Sequence, residues 1–150
     1  MSDLYNVKEF GAKGDGATLD TEAIQRAIDG CSESGGGVVT FPPGTYLSGT
    51  FFLKSHVKLE IGQGAVLLGS KDLSDYEKTE PGAFCRKHGF IRAMNVRNVT
   101  VCGPGVIDAA MVLEEDGNHG PMSVAFEYCR DVTFQDITLD RSPGWGFWFL

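Results

Sequence analysis

The feature of this sequence that most constrains its fold is a short repeated segment in which a turn-forming residue precedes a valine. The segment occurs as SHVKLEI (55–61), RNVTVCG (97–103) and RDVTFQD (130–136). Its valines, Val57, Val99 and Val132, are 42 and 33 residues apart. Unequal spacings of one repeated unit indicate a solenoid whose coils carry loop insertions of different length.

The residues directly before these valines support the same interpretation. They are His56, Asn98 and Asp131, and these residue types tolerate the left-handed conformation of a tight turn better than most others. Between the repeats lie short β-rich pieces bounded by Gly, Asn, Asp or Pro. The pattern favours a parallel β-solenoid with each valine facing inward, and a β-sandwich remains an alternative on pattern alone.

A single helix helps to decide between these folds. One apolar stripe predicts an amphipathic helix over about 20–33, with Asp20 as its N-cap. The stripe consists of Ala23, Ile24, Ala27, Ile28 and Cys31. Because a solenoid exposes its core at an open end, a lone helix with an apolar face suits a cap at that end. The sequence therefore predicts an all-β solenoid with one N-terminal capping α-helix.

The glycine-rich stretch before this helix does not match a phosphate-binding loop. Gly11, Gly14 and Gly16 fit neither the G-x-x-x-x-G-K-[ST] spacing nor the G-x-G-x-x-G spacing. We expect these glycines to serve the backbone geometry of a turn, and Asp15 to accept backbone hydrogen bonds within that turn.

Charge and composition exclude several functional classes. The net charge of −7 argues against a nucleic-acid partner. No apolar run approaches the ~20 residues of a membrane span. No signal peptide is visible, which favours a cytoplasmic location unless a signal was removed. The histidines lack metal-ligand spacing and no cluster of carboxylates is apparent, so we expect no metal site. We expect free, mostly buried thiols at four widely spaced cysteines: Cys31, Cys85, Cys102 and Cys129.

Four motifs, in this order, resemble the polygalacturonase-like family of glycoside hydrolases. They read F-G-A-x-G-D-G, G-G-G-x-V-x-x-P-P-G-T-Y, G-x-G-x-I-D and S-P-x-W, and the resemblance covers nearly the whole chain. It implies a right-handed parallel β-helix of the pectin-lyase type. In that fold, residues 1–150 are the N-terminal part of a single domain, with the first coils over about 37–150. It also implies cofactor-free, inverting hydrolysis of pectic or related polysaccharide.

The catalytic blocks that this resemblance leads us to expect are not found in the chain. The family carries Asn-x-Asp, Asp-Asp, His-Gly and Arg-x-Lys downstream of S-P-x-W. Here His-Gly occurs at His88 and His119, before S-P-x-W, so we assign a catalytic role to neither. We expect the remaining coils to be missing, this 150-residue chain alone to be inactive, and its exposed C-terminal coil to favour self-association.

Other acidic residues are poor catalytic candidates. Asp136 and Asp140 lie four residues apart on an expected strand, a separation of about 13 Å, which is too large for either glycosidase geometry. Residues Glu114, Glu115 and Asp116 are expected in a solvated loop.

Trp145 is the residue that we predict to contact sugar, because an exposed indole can stack on a pyranose ring. It belongs to GWGFWFL (144–150), where strand alternation predicts that at least two of the four aromatic residues face inward. Four scattered arginines could face an anionic polysaccharide or simply be solvated: Arg92, Arg97, Arg130 and Arg141.

Two alternatives to the hydrolase remain open. The segment AAMVLEED (109–116) replaces the G-x-x-W-W stretch that is frequent in the family, so one wall of the cleft is rebuilt. This change favours a polysaccharide lyase of the same superfamily, or a non-catalytic β-helix such as a tail-fibre or surface-binding protein.

Overall fold

The computed structural model describes residues 3–78, 88–113, 117 and 119–150. Within these ranges the chain forms a right-handed parallel β-helix with three parallel sheets. In chain order the strands are β1 (Leu4–Asn6), β2 (Asp15–Leu19), β3 (Gly37–Phe41), β4 (Gly44–Ser48), β5 (Phe51–Phe52), β6 (Val57–Ile61), β7 (Ala65–Gly69), β8 (Gly89–Met94), β9 (Arg97–Cys102), β10 (Val106–Asp108), β11 (Met122–Glu127), β12 (Arg130–Gln135), β13 (Thr138–Asp140) and β14 (Phe147–Phe149). Short 3₁₀ turns cover Val7–Phe10 and Leu73–Asp75.

The chain visits the three sheets in turn, one strand of each per coil. Sheet A contains β1, β3, β6, β9 and β12; sheet B contains β2, β4, β7, β10 and β13; sheet C contains β5, β8, β11 and β14. Alternate side chains of every strand point inward and stack on the equivalent residues of the coils above and below. In sheet A, for example, Val39, Leu59 and Val101 are in register and fully buried.

The repeated segments occupy equivalent positions on successive coils, as predicted. Val99 pairs directly with Val132, and the register of β6 on β9 places Val57 beside Val99. Each unequal spacing is therefore one coil, with the extra residues in loops. The preceding residues all have left-handed backbones: φ is 66° at His56, 54° at Asn98 and 53° at Asp131.

The predicted helix is present as α1 (Thr21–Glu33), and all five residues of its apolar stripe are buried. In the chain it lies between β2 and β3, where the first coil would otherwise contribute a strand to sheet C. Its Gln25 side chain bonds both backbone groups of Phe52 on the edge strand β5: Nε2 donates to the carbonyl at 3.0 Å, and Oε1 accepts from the N–H at 2.8 Å. The helix therefore caps the end of the solenoid and one sheet edge. No helix in the described ranges is long and apolar enough to cross a membrane.

Asp20 departs from the prediction. It precedes α1, but its side chain makes no capping hydrogen bond. With 2% of its surface exposed, its carboxylate instead accepts from the backbone N–H of Lys13 at 2.8 Å and of Gly14 at 2.9 Å. The glycine-rich stretch is thus held by a buried carboxylate and does not form an open anion-binding loop.

Asp15 behaves as predicted within that stretch. Its carboxylate accepts from the N–H groups of Thr18 at 2.7 Å and Ala17 at 2.9 Å. These hydrogen bonds, that of Thr18 first, lower the pKa of Asp15 to about 2. Asp15 also begins β2, so the segment that was expected to be a turn contains a strand paired with β4.

Three of the four cysteines are free thiols, as predicted. Cys31 and Cys102 are buried and Cys129 is half-buried. Burial is the main cause that raises the pKa of the Cys31 and Cys102 thiols. Cys85 lies outside the described residues.

Candidate functional site

The outer face of sheet C gathers aromatic and charged side chains from successive coils. A row of residues in register crosses β5, β8, β11 and β14: Phe52, Arg92, Ala125 and Trp148. Their neighbours along each strand point inward to the core. Since every coil contributes one residue to the row at a spacing of about 4.8 Å, the face is an elongated surface along the solenoid axis.

Trp145 stacks on Trp148 on this face. Their rings are parallel, with centroids 5.0 Å apart and an interplanar angle of 4°. Trp148 packs against the buried Met122 and Ala125, whereas Trp145 is 53% exposed. The inner indole thus fixes the orientation of the outer one, which is the arrangement that a sugar-stacking surface needs.

The S-P-x-W motif anchors Trp145. The hydroxyl groups of Ser142 and the fully buried Ser123 are hydrogen-bonded at 2.8 Å. Pro143 packs over Gly120, where an added Cβ would lie 2.6 Å from the proline ring. The second His-Gly pair therefore has a structural role, because only glycine permits this approach.

Arg92 is the unexpected member of the row, since an arginine was expected to be solvated or open to a ligand. It is buried, with 7% of its surface exposed. Its guanidinium carbon lies 5.3 Å from the centroid of the Phe52 ring, a cation–π contact. Its alkyl chain occupies the space above Gly89, where an added Cβ would lie 2.9 Å from Cγ of Arg92.

Glu127 supplies a carboxylate to the same face. It is buried and lies two residues beyond Ala125 on β11, so alternation places both side chains on the outer side. The face therefore carries one buried basic and one buried acidic side chain.

Of the other three arginines, two are exposed to solvent and one forms an ion pair. Arg97 and Arg130 are exposed and in register on neighbouring coils. Arg141 forms a two-point ion pair with Asp108, from Nε to Oδ1 at 2.8 Å and from Nη2 to Oδ2 at 2.5 Å. That pair lies at sheet B, away from the row on sheet C, and gives the aspartate of G-x-G-x-I-D a structural role.

The expected placement of Asp136 and Asp140 was wrong. Asp136 has φ of 56° and lies between β12 of sheet A and β13 of sheet B, whereas Asp140 ends β13. A left-handed turn separates them, so they do not share one strand. Glu114, Glu115 and Asp116 lie outside the described residues.

The remaining aromatic residues of the last strand divide as strand alternation predicts. Phe147 and Phe149 are on the inner side and pack edge-to-face on Phe134, with ring centroids 5.1 and 6.0 Å away. They remain 42% and 55% exposed. Their alternation with Trp148 leaves the two indoles on the outer side. Whether Trp145 contacts sugar stays a prediction.

Sequence reasoning missed Glu127 and did not distinguish Arg92 from the three other arginines. The available signal was a charge inside or at the end of an otherwise apolar strand, GFIRAM and MSVAFE. Charged side chains are seldom buried without a specific reason. His88 is also buried, at the approach to β8, and His119 is half-buried before β11.

Comparison with known proteins gives consistent matches. The family model described as "Rhamnogalacturonase A/epimerase, pectate lyase-like" matches residues 4–143. Exo-poly-α-D-galacturonosidase of Dickeya chrysanthemi is 35% identical over 143 residues, covering 81% of this chain and 23% of the relative. Plasmin and fibronectin-binding protein A of Streptococcus pneumoniae is 36% identical over 149 residues, which cover 91% of this chain and 21% of the relative. The chain thus spans less than a quarter of the length of these two relatives.

A solved structure agrees with these sequence matches. The family 28 exopolygalacturonase of Yersinia enterocolitica superposes with a TM-score of 0.77 at 26% identity, covering 93% of this chain and 34% of that one. The similarity therefore extends from the sequence motifs to the coils themselves.

Proposed function

Because the chain belongs to the rhamnogalacturonase A/epimerase, pectate lyase-like family, we propose that it forms the N-terminal coils of a polygalacturonase-type glycoside hydrolase. Its substrate is a pectic or related polysaccharide, which is cleaved by inverting hydrolysis. The observation that carries the proposal is the parallel pair of Trp145 and Trp148 on the outer face of sheet C. A flat aromatic surface beside buried charges suits a polymer of charged sugars.

Within this proposal, the 150 residues bind substrate and do not cleave it. Inverting hydrolysis needs an acid and a base about 6.5–9.5 Å apart, on opposite sides of the scissile bond. In the described part of the chain, Glu127 is a buried carboxylate on the outer side of β11 in sheet C. A second carboxylate has to come from residues that are not described here or from additional coils.

The test combines binding with turnover. We expect the purified chain to bind an oligogalacturonate, measured by calorimetry, and to release no reducing ends from polygalacturonate. Trp145→Ala should weaken binding about tenfold, an estimate that assigns the stacked indole about 1.4 kcal/mol. Leu19→Ala is the matched control, because Leu19 is 46% exposed but lies on sheet B. Unchanged affinity in Trp145→Ala, or equal losses in both variants, would contradict the proposed binding face.

A lyase is separated from a hydrolase by its product. β-Elimination leaves an unsaturated sugar that absorbs in the ultraviolet, whereas hydrolysis leaves a saturated one. If a longer form of this protein produced ultraviolet absorbance from polygalacturonate, the hydrolase assignment would fail and the lyase would replace it.

A non-catalytic binding protein is the second candidate. It is favoured by the similarity to the streptococcal plasmin and fibronectin-binding protein at 36% identity over 91% of this chain. Binding of this chain to those two proteins, without affinity for oligogalacturonate, would support it over the hydrolase.

We also propose self-association through the inner aromatic residues of β14. Phe147, Phe149 and Leu150 are half-exposed next to the buried Phe126. Exposed apolar surface at a sheet end favours association. Sedimentation should show oligomers of the 150-residue chain, and Phe149→Lys should reduce them; a monomer at all concentrations would count against this interface.

A further inference from the structure

A cavity at the corner between sheets C and A plays no part in the proposed function. It has a volume of about 390 Å³ and lies where β8 turns into β9 and β11 turns into β12. This volume is within the range of small-molecule binding sites. Three successive coils contribute its lining, which consists of Ser55, Asn95, Val96, Arg97, Tyr128 and Arg130.

Two arginines line this cavity side by side. Arg97 and Arg130 are paired in register on neighbouring coils, and like charges placed directly opposite each other destabilise a sheet. None of the described residues that line the cavity is acidic. The arginines that form ion pairs in the described part of the chain are Arg26 and Arg141, which lie elsewhere. In a protein with a net charge of −7, this corner therefore holds two adjacent positive charges and no lining carboxylate.

Tyr128 is an independent sign of a binding role at the same cavity. Its backbone is left-handed, with φ of 54°. The equivalent residue of the preceding coil is Asn95, which has the same φ and belongs to a residue type that tolerates this conformation. A tyrosine is strained there, and because its side chain is 65% exposed, burial of the ring does not offset the strain. Residues strained in this way cluster at ligand-binding positions.

The groups around the cavity indicate the chemistry of the ligand. A guanidinium recognises an oxyanion through a planar fork of N–H donors. A carboxylate has two oxygens, and one fork engages both of them. A phosphate or sulfate ester has three terminal oxygens and can therefore accept from two forks at once. The exposed ring of Tyr128 adds a flat surface on which a second ring can stack.

We propose that Arg97, Arg130 and Tyr128 form a binding site for a phosphate or sulfate ester carried on a ring. The two arginines hold the oxyanion, and the tyrosine stacks on the ring that carries it. The site lies at the corner between two sheets, apart from the row of residues on the outer face of sheet C. It is independent of the proposed function.

The test measures the binding of phenyl phosphate and phenyl sulfate to the 150-residue chain by NMR titration. The ester that binds more tightly identifies the group as phosphate or sulfate. Arg97→Gln and Arg130→Gln should each weaken binding of that ester about tenfold, the range expected for charged hydrogen bonds. Lys13→Gln is the control, because it removes one positive charge from an exposed position in the glycine-rich stretch. It should leave the affinity unchanged. Binding of neither ester, or an equal loss in the control, would overturn the site.

Tyr128 is tested separately from the arginines. Tyr128→Asn should weaken binding of the preferred ester about threefold, the range expected for one ring contact. It should leave binding of the matching inorganic ion unchanged, and it should keep or raise the melting temperature because it relieves the backbone strain. A clear loss of stability, or equal losses for the ester and the inorganic ion, would show that the tyrosine does not contact the ring and would overturn the three-residue site.

Competition with polysaccharide separates this site from the proposed function. An oligogalacturonate should not displace the ester. Displacement would place the two arginines on the polysaccharide-binding face and would overturn a separate site. If the chain binds the ester but no oligogalacturonate, the proposed function fails and the corner site stands.

Discussion

Asp20 offers a sharp test of how the N-terminal cap is held. The perturbation is Asp20→Ala, which removes a buried carboxylate that accepts hydrogen bonds from the N–H groups of Lys13 and Gly14. Hydrogen bonds to a charged group contribute about 1.5–3 kcal/mol each. The substitution also removes the cost of burying a charge, which offsets part of that loss. We therefore expect the free energy of unfolding to fall by about 2–4 kcal/mol.

The assay is urea unfolding followed by circular dichroism, with thermal unfolding as a second measure. A loss of this size corresponds to a drop of about 10 °C in the melting temperature of a 150-residue domain. Asp15→Ala is the matched control from the same stretch, because Asp15 also accepts two backbone N–H groups but is exposed. We expect Asp15→Ala to lower the melting temperature by less than Asp20→Ala, because solvent weakens the interactions of an exposed carboxylate.

Tyr46 provides an independent reporter of the same carboxylate. Burial, and secondarily the charge of Asp20, raise the pKa of Tyr46 to about 12. Asp20→Ala should therefore lower the Tyr46 pKa when it is titrated in the folded protein. The reasoning is refuted if Asp20→Ala unfolds within 0.5 kcal/mol of the wild type, roughly the size of an ordinary surface substitution, or if Asp15→Ala loses as much stability.

Two further predictions concern the turns. Asn98→Ala should lower the unfolding free energy by about 1–2 kcal/mol because alanine resists a left-handed backbone, whereas Asn98→Gly should keep most of the stability. If both variants lose the same unfolding free energy in urea, the 3.1 Å contact of Asn98 with His56, and not the backbone conformation, accounts for the stabilisation. For Asp15, whose pKa falls from 3.8 to about 2 on folding, the stabilising contribution is complete above about pH 4. It is lost as the pH falls through about 2, so a carboxyl titration followed by NMR should have its midpoint there, and a midpoint near 3.8 would contradict the hydrogen-bonded turn.

The repeat and the helix could be predicted because their signals are local. A left-handed backbone depends on the residue that adopts it, so the conformations of His56, Asn98 and Asp131 follow from their own side chains. The stripe of α1 likewise depends on spacing within one helix. The prediction for Asp20 was wrong for a related reason. An aspartate before a helix is expected to cap it, but here the carboxylate accepts hydrogen bonds from the N–H groups of Lys13 and Gly14 instead.

The candidate site was less accessible to sequence reasoning. Trp145 could be singled out as an aromatic residue in a motif, but its partner Trp148 was one of four equivalent-looking aromatic residues. Arg92 belonged to a set of arginines that sequence reasoning could not tell apart. In the structure Arg92 is buried beside Phe52, Arg141 is paired with Asp108, and the other two are exposed. These environments depend on contacts between coils.

The sequence by itself determined the coil, the cap and the family, because turn conformation, apolar alternation and motif order are properties of contiguous residues. Only the tertiary structure decided which side chains share the outer face of sheet C. The successive members of the row, Phe52, Arg92, Ala125 and Trp148, are 40, 33 and 23 residues apart along the chain yet adjacent in register. The loops between coils differ in length, so the residue of the next coil that pairs with a given residue cannot be found by counting residues along the sequence. That register brings the arginine of β8 and the indole of β14 onto one face, on either side of Ala125.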